Sequence, residues 1–524
     1  MRKYPIGIQT FSEIIRKGYV YVDKTGLIHR LVNDKKYVFL SRPRRFGKSL
    51  LSSTLHSYFN GDKELFMGLQ IEALETEWKS YPVLHFDFSM AKNRSDAKGI
   101  SSELQRQIMG FEENYCLKGN ELQTPGQRLD TLIRHIYKQT GNQVVVIIDE
   151  YDAPMLDALH DENLLADIRL LMQEFYAPLK PCDPYLRFVF ITGITKFSQL
   201  SIFSIINNLK NISMSPQYSA LCGITENELL TDFAEDIAFM ANENGCTPEE
   251  IHDKLKEHFD GYHFSRSSED IYNPFSLLNA FDERAIGSYW FATGTPTYLI
   301  RQLQRFSTNI TSLDEIEAPA SAFDCPTEAM TDALPLLYQS GYLTIKGYDA
   351  QWDTYYLALP NKEVRVGLME NLLPLYTQTG NYENQGFVRQ FCQALNAENM
   401  DAALTALRAY IASIPYTDGM KKVLDEATKA EGFYEYLFYV LFSCMNQYVQ
   451  TQVRTNTGRI DMVMHLQRSI CVFELKINRS AEEALNQIDE KGYLLPYTAD
   501  GRKLIKCGIS FNTSTRNIEE WKLG

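Results

Sequence analysis

The sequence predicts an α/β fold, with a doubly wound sheet between helices over roughly residues 1–215 and a second, small α/β domain at the C-terminal end. Three observations predict it. Apolar runs at Tyr37–Leu40, Val83–Phe88, Val144–Ile148 and Leu186–Ile191 alternate with helical patterns, the order of a parallel sheet with crossover helices. The run Val144–Ile148 is wholly β-branched, and its unbroken hydrophobicity marks a strand buried on both faces. Near the other end, Gly458–Met464 and Cys471–Ile477 read as two strands carrying charged residues inside apolar flanks.

The elements follow in order. Residues 5–36 mix apolar and basic positions, end in a helical pattern, and are expected to pack beside the first strand. A basic turn follows that strand, Arg42-Pro43-Arg44-Arg45-Phe46-Gly47-Lys48-Ser49, and a helix then runs to the stop signal Asn60-Gly61. Helices are expected over about 97–139 and 162–177. From about 224 to 325 the pattern is mostly helical; Asp260-Gly261 reads as a hairpin-type turn and Thr295-Pro296 as a helix start. Between 326 and 375 a helix, two strands and a helix led by Asn361 suggest a winged-helix-like module, with a helical spacer over 383–430. The acidic surroundings of the wing favour a lid or interdomain role over reading DNA. The last segment reads helix, hairpin, strand, helix, strand.

Composition limits the function classes. The formal net charge of −14 argues against a nucleic-acid partner for the chain as a whole. The charge is uneven, however: residues 1–60 hold 12 Lys/Arg against 3 Asp/Glu, and residues 431–524 are near neutral. Nine scattered cysteines without a C-x-x-C pair fit free thiols in a reducing compartment. The start Met-Arg-Lys-Tyr-Pro-Ile has no signal-peptide character, and no run is long enough to cross a membrane. A cytoplasmic protein is the expectation.

The basic turn carries the first chemistry. A strand, a tight turn and a helix start place unpaired N–H groups and the positive end of the helix dipole around a polyphosphate. Gly47 permits close backbone approach, Lys48 reaches the outer phosphates, and Ser49 offers a hydroxyl to Mg²⁺. Arg42 stands where the usual pattern has its first glycine. Asp149-Glu150 ends the buried strand; Asp149 suits Mg²⁺ and Glu150 suits a general base for water. The bland reading of Asp149-Glu150-Tyr151-Asp152 is a solvated turn. Asp87 ends the preceding strand, and Thr192, near the tip of the next one, is placed to sense a γ-phosphate. The order of these features makes ATP with Mg²⁺ the expected ligand.

The second constellation is C-terminal. Residues i and i+2 of a strand share a face, so Glu474 and Lys476 project together, and a hairpin register brings Asp461 beside them. Two carboxylates, the Leu475 carbonyl and a lysine suit metal-assisted phosphodiester hydrolysis on Mg²⁺, with Mn²⁺ as a substitute. The alternative is a strand face of alternating charge. Glu435, on an apolar helix, is a further metal or water ligand or an ordinary rim residue; Gln487 faces the site or the surface. His258 and His263 lack partners for a metal pattern and are read as packing residues, and Tyr289-Trp290-Phe291 as core.

The stretches Tyr4-Pro5-Ile6-Gly7-Ile8-Gln9, Tyr21-Val22-Asp23-Lys24-Thr25 and Arg42–Ser49 resemble bacterial AAA-ATPase-like proteins that carry a C-terminal PD-(D/E)XK nuclease-like domain. Asp260-Gly261-Tyr262, Ile271–Phe275 and Pro360–Arg365 fit the same family. The resemblance implies a P-loop NTPase αβα sandwich over 1–215, a helical lid or middle region over 216–325, a winged-helix-like and helical spacer over 326–430, and a restriction-endonuclease-like α/β domain over 431–524. It implies that Arg42 is the family's own variant of the loop. Nucleotide contacts are expected from Arg44, Arg45, Phe46, Gly47, Lys48, Ser49, Leu50, Asp149 and Thr192, with Glu150 catalytic. Asp461, Glu474 and Lys476 match the nuclease signature, with Glu435 and Gln487 as its helix positions. The expected activity is an ATPase controlling a metal-dependent nuclease acting on DNA or RNA. The alternatives are a regulatory ATP switch whose nuclease fold only binds nucleic acid or a protein, and a nucleotide-independent scaffold.

Overall fold

The apolar runs do form one parallel sheet. In the computed structural model, which describes residues 2–91, 96–120, 122–158, 161–196, 208–291, 297–326, 330–377, 381–414, 427–444 and 448–524, strands β1 (Tyr37–Ser41), β2 (Val83–Asp87), β3 (Val144–Asp149), β4 (Leu186–Gly193) and β5 (Lys210–Asn211) lie in the order β2-β3-β4-β1-β5. Every pairing is parallel. All six residues of β3 are buried, as its β-branched run requires. Helices α1 (Phe11–Lys17), α2 (Thr25–Asp34), α3 (Lys48–Asn60), α4 (Ala97–Asn114), α5 (Pro125–Thr140) and α6 (Glu162–Tyr176) accompany the sheet. α5 starts at a Thr124/Gln127 capping box with proline behind it and stops at Gly141, in the left-handed conformation. Phe86, Phe88, Leu104, Ile133, Val146, Ile148 and Phe175 fill the core between the sheet and α4–α6. The two-residue β5 is too short for a periodicity to announce it.

The chain divides into two compact units, Met1–Trp290 with Ile316–Asn361, and Phe291–Glu315 with Lys362–Gly524. In the first, the sheet is followed by α7 (Glu226–Asp232), α8 (Ala234–Asn244), α9 (Pro248–Phe259) and α10 (Pro274–Glu283), packed on Phe233, Leu255, Phe259, Leu277 and Phe281. Capping boxes at Thr225/Glu228 and Thr247/Glu250 start α7 and α9. Strands β6 (Ile224–Thr225) and β7 (Ile271–Tyr272) pair antiparallel within this region.

Asp260-Gly261 is not a hairpin turn. Asp260 caps the end of α9, and Gly261, at φ 88°, lets the backbone approach the Pro360 carbonyl so closely that a Cβ would lie 2.3 Å from it. Lys346 Nζ donates to both the Gly261 and Pro360 carbonyls, and Asn361 Nδ2 donates to the Asp260 carbonyl. Two motifs a hundred residues apart in sequence are thereby joined. The expected helix start at Thr295-Pro296 lies outside the described residues.

The wing is present, as β9 (Thr344–Asp349) and β10 (Thr354–Ala358) after the short helix Leu334–Gln339. It gains a third strand, β8 (Ile316–Ala318), giving the order β8-β10-β9. Three residues carry no periodicity, so the sequence did not announce this edge. Of the expected helical spacer over 383–430, residues 383–396 and 400–413 are helical and 415–426 lie outside the described residues.

The second unit ends in a mixed sheet: α11 (Ala427–Cys444), β11 (Tyr448–Arg454), β12 (Arg459–His465), β13 (Ser469–Ile477), α12 (Ala481–Lys491), β14 (Lys503–Asn512) and β15 (Asn517–Leu523). Strand order follows the chain, and only β13 and β14 pair in parallel. This is the expected helix, hairpin, strand, helix, strand order with β15 added at the edge. β15 was missed because its Glu519, Glu520 and Lys522 obscure the apolar alternation.

Candidate functional site

The basic turn leaves β1 at Ser41 and enters α3 at Lys48. Two residues bend it: Arg45 at φ 69° and Gly47 at φ 85°. Arg42 is not in the left-handed region, so its backbone makes no demand for glycine. Its side chain runs inward instead. The guanidinium donates to the carbonyls of Ser41 (3.0 Å), Ser213 (2.7 Å) and Tyr218 (3.3 Å) and lies 4.1 Å from the Phe264 ring. Burial pushes its pKa down. Arg42 therefore staples the turn to the segment after β5.

Phe46 is buried, with edge-on contacts to Tyr262 and Phe264. Arg44 and Arg45 are exposed; Arg45 lies over the Phe275 ring at 4.6 Å, and the Trp290 indole N–H donates to the Arg44 carbonyl. The Cβ of a residue replacing Gly341 would meet Pro43 at 2.6 Å. The middle-region motifs thus close around the turn, which the separate reading of each motif did not reveal.

Lys48 is buried, its ammonium held by the carbonyls of Arg42 (3.0 Å) and Pro43 (2.9 Å). Burial lowers its pKa, against the pull of Asp149, Asp152 and Glu150. The space beside Gly47 is open where a Cβ would stand. Ser49 stands beside the Asp149 carboxylate and favours its charged form, although β4 lies between β1 and β3 in the sheet. Burial pushes the Asp149 carboxyl up to about 6, with Ser49 and Lys48 acting against it. Glu150 sits at φ 49° and its N–H donates to Asp149 Oδ1 at 3.0 Å, so the two acids stand on one sharp turn. Asp87 stands in register with Asp149 and caps its own turn by accepting from the Ser89 N–H.

Thr192 departs from expectation. Its side chain is fully buried and its hydroxyl donates to the Leu40 carbonyl at 2.8 Å. It braces β4 against β1 rather than presenting a hydroxyl at the strand tip. The turn residue the sequence undervalued is Asp152. It is buried, and its Oδ2 accepts from the N–H groups of Ile194 and Thr195 and from the Thr195 hydroxyl. The solvated-turn reading of Asp149–Asp152 fails at Asp149 and Asp152.

Beside Gly47 opens an apolar pocket, lined among others by Tyr21, Val22, Lys24, Leu50, Cys222 and Ile224. Lys24 donates to both carboxylate oxygens of Glu228 at 2.6 Å, closing one wall. Its apolar lining suits the flat, mostly apolar face of a nucleobase. The only sequence signal for it was the motif Tyr21–Thr25, whose residues carry no nucleotide chemistry of their own.

The second site is built by register. β12 and β13 pair Met462 with Phe473 and Val463 with Val472, so Asp461, Glu474 and Lys476 share one face. The helix α12 covers that face through Ile488, beside Val463 and Val472. α11 covers the other: Tyr434 and Phe438 meet Phe511, and Phe442 meets Phe473. Asp461 and Glu474 are 8% and 1% exposed, and buried carboxylates of this kind demand a purpose. The Leu475 N–H donates to Asp461 Oδ2 at 2.8 Å; Lys476 Nζ donates to Glu474 Oε1 at 2.9 Å, and Gln487 of α12 donates to the same oxygen. Gln487 thus faces the site. Glu435 is buried on α11, the helix of the opposite face.

The donor sets can be tested against the groups they would hold. Among the described residues no three His, Cys, Asp or Glu side chains form a metal cage. A hard ion that keeps water and takes further ligands from phosphate needs only one or two carboxylates, and Asp461 with Glu474, or Ser49 with Asp149, supply that. No helix among the described residues is long and apolar enough to cross a membrane.

With this geometry in place, similarity to known proteins can be stated. Residues 5–203 match the family model described as a predicted AAA-ATPase, AAA-ATPase-like, and residues 429–521 match that of the PD-(D/E)XK nuclease superfamily. An uncharacterized protein in the vnfD 5' region of Azotobacter chroococcum mcd 1 is 35% identical over 99% of this chain and 98% of its own length. Among solved structures, the ORC2 protein of Aeropyrum pernix aligns at 12% identity and TM-score 0.25, over 64% of this chain and 88% of that one. The CDC6P structure from Pyrobaculum aerophilum aligns at 11% identity and TM-score 0.24, over 65% and 90%. Resemblances that slight say nothing of function.

Proposed function

Since the chain belongs to the AAA-ATPase-like family with a C-terminal PD-(D/E)XK nuclease superfamily domain, we propose that it binds and hydrolyses ATP at the 42–49 turn. We propose further that the nucleotide state controls phosphodiester cleavage at Asp461, Glu474 and Lys476. The observation that carries the reading is the approach of Ser49 to the Asp149 carboxylate beside the buried Lys48. It joins the turn to the acid strand at the point where Mg²⁺·ATP needs a hydroxyl, a carboxylate and a cation together.

At the first site, Lys48 and the N–H groups at the start of α3 hold the phosphates, the apolar pocket beside Gly47 takes the base, and Ser49 and Asp149 would hold Mg²⁺. Glu150, next to Asp149 on the same sharp turn, orients the attacking water and accepts its proton. Asp152 keeps the segment after β4 in place. At the second site, Asp461, Glu474 and the Leu475 carbonyl hold Mg²⁺ or Mn²⁺. The bound ion would lower the pKa of a water and offset phosphate charge. Lys476 sits beside Glu474, where it can orient that water or meet developing negative charge.

One observation favours the binding-only alternative. Glu474 Oε1 already accepts from both Lys476 and Gln487, so that one oxygen is engaged without a metal. A single experiment separates the readings: cleavage of a panel of labelled single- and double-stranded DNA and RNA, with and without ATP, by the parent, Lys48→Ala and Asp461→Ala. Metal-dependent cutting that Asp461→Ala abolishes and Lys48→Ala uncouples from ATP supports the proposal. Cutting that survives Asp461→Ala overturns the second site. Affinity for Mg²⁺·ATP unchanged in Lys48→Ala overturns the first.

A further inference from the structure

The segment Ile194–Lys196, just past the end of β4, is held from two sides. On one side stands the acid turn: Asp152 Oδ2 accepts from the Ile194 and Thr195 N–H groups and the Thr195 hydroxyl, and the Tyr151 hydroxyl donates to the Thr195 carbonyl. On the other side stands the wing module. The Lys196 N–H donates to Gln339 Oε1 at 2.7 Å, and the Lys196 ammonium pairs with Asp324. Gln339 Nε2 in turn donates to the carbonyls of Phe323 and Cys325. Thr195, Lys196 and Gln339 are all buried. Parting a mostly buried ion pair leaves each charge without solvent, so the segment is held firmly at both sides.

The helix that carries Gln339, Leu334–Gln339, also meets the other half of the nucleotide site. Gly341 follows it and stands so close to Pro43 that a Cβ would lie 2.6 Å away. The Pro43 carbonyl holds Lys48 Nζ at 2.9 Å. One module therefore touches both the 42–49 turn and the segment tied to the acid turn. From there contact runs outward to the wing sheet. Phe323 is fully buried, edge-on to Tyr338 at 4.6 Å and to Tyr355 of β10 at 5.3 Å.

This junction is not packed solid. A pocket separates Arg42, Pro43 and Ile194 from Asp324, Tyr338 and Leu343. Arg42 lines it, and its buried Nε has no hydrogen-bond partner. A buried donor left unsatisfied is costly, and the gap gives room for a second arrangement.

We propose that Ile194–Lys196 is a two-sided latch through which Mg²⁺·ATP and the wing set each other's position. Asp324 and Gln339 are positioning residues: they act on the nucleotide site through Lys196, Thr195 and Asp152. When nucleotide draws the 42–49 turn and the acid turn together, the segment closes on Asp324 and Gln339 and the wing tightens. When the site is empty, the wing loosens. Linkage makes the effect reciprocal, so the wing contacts must also tighten nucleotide binding. The inference rests on the reading of the first site as an ATP site.

The test uses the full chain, with Mg²⁺ and a non-hydrolysable ATP analogue to keep the site filled. Hydrogen exchange is followed by mass spectrometry over residues 344–358, with α5 as the internal reference, and affinity is measured by calorimetry. The parent, Gln339→Met and Asp324→Asn are compared. In the parent, the analogue should slow exchange over 344–358 at least about fivefold more than in α5, and each variant should bind about 5–50-fold more weakly and lose most of that slowing. A parent that binds the analogue without slowing exchange in the wing overturns the latch and leaves the ATP site standing; this result needs no variant to fold. Variants that bind weakly yet keep the parent's slowing also overturn it, since Asp324 and Gln339 would then only support the fold. Variants with the parent's affinity and slowing overturn it as well. A parent that binds no nucleotide overturns the reading of the first site together with the latch.

Discussion

The two candidate sites are assembled by opposite strategies. The 42–49 turn draws its surroundings from across its unit: Tyr21–Lys24, the turn itself, Asp149–Asp152, Ser213, Cys222, Phe264 and Gly341. The C-terminal site takes Asp461, Glu474, Lys476 and Gln487 from under thirty residues of chain, and one strand register sets all but the last. A site built by long-range convergence depends on many close approaches. A site built by register depends on few, because a one-residue slip would move every side chain to the other face and bury the wrong set. The first should therefore fail at remote positions, and the second only at its own residues.

The largest effects should come from removing the charged groups. Lys48→Ala should weaken Mg²⁺·ATP binding at least about a hundredfold, and Asp461→Ala should slow phosphodiester cleavage by a similar or greater factor. ATP affinity measured by calorimetry should be untouched in Asp461→Ala; a shared loss would end the separation of the two sites.

Next come two glycines whose missing Cβ matters. A Cβ at Gly193 would stand 2.4 Å from Asp152 Oδ1 and 2.6 Å from the Tyr151 ring, and one at Gly508 would stand 2.4 Å from the Ala481 carbonyl. Alanine at either should destabilise its unit by about 1–3 kcal/mol in denaturant titrations. Only Gly193→Ala should also weaken ATP binding, since Asp152 holds the segment beyond β4. If ATP affinity is the same in Gly193→Ala as in the parent, the dependence of the first site on remote packing is refuted.

Acidity should separate the sites further. The Asp149 carboxyl lies at about 6, above its usual value, because burial disfavours its charge. Mg²⁺ needs the ionised form, so Mg²⁺·ATP affinity should be flat above that pH and fall by up to tenfold per pH unit below it. In the free protein the sign reverses. The raised pKa favours folding below the unfolded value near 4, and that advantage is lost as pH rises through about 6. Asp149→Asn should therefore gain up to about 2–3 kcal/mol on the parent in melts above pH 6 and nothing at pH 4. A variant no more stable than the parent at neutral pH would mean that burial is not what raises the carboxyl. The smallest effect expected is that of Thr192→Val: about 0.5–1.5 kcal/mol of stability for the lost bond to Leu40, with ATP affinity unchanged. A large loss of affinity there would restore Thr192 as a phosphate sensor.

Much of both sites was legible beforehand, for different reasons. The turn at 42–49 announces itself because glycine, lysine and serine at fixed spacing have a local conformational meaning. Asp461, Glu474 and Lys476 were legible because strand alternation projects them onto one face without further information. Gln487 was harder: a glutamine on a helix has no preferred partner until the helix is docked, and its contact with Glu474 exists only after α12 packs on the sheet. Thr192 was misjudged because a strand-tip hydroxyl looks the same in sequence whether it faces a ligand or the neighbouring strand. Asp152 was passed over because an acid in a turn ordinarily faces water.

By itself the sequence determined what local periodicity and short spacing can determine: the alternation of strands and helices, the buried acid strand β3, the basic turn between β1 and α3 and the acid–lysine face of β13. Only the tertiary structure decided how distant segments meet. It placed β4 between β1 and β3, so that Ser49 reaches Asp149 across it. It joined Asp260–Tyr262 to Pro360-Asn361 and to the turn, and it formed the cavity beside Gly47 from segments some two hundred residues apart. The physical reason is that propensity and alternation act over a few residues, whereas these contacts form only when the hydrophobic cores bring remote backbone together.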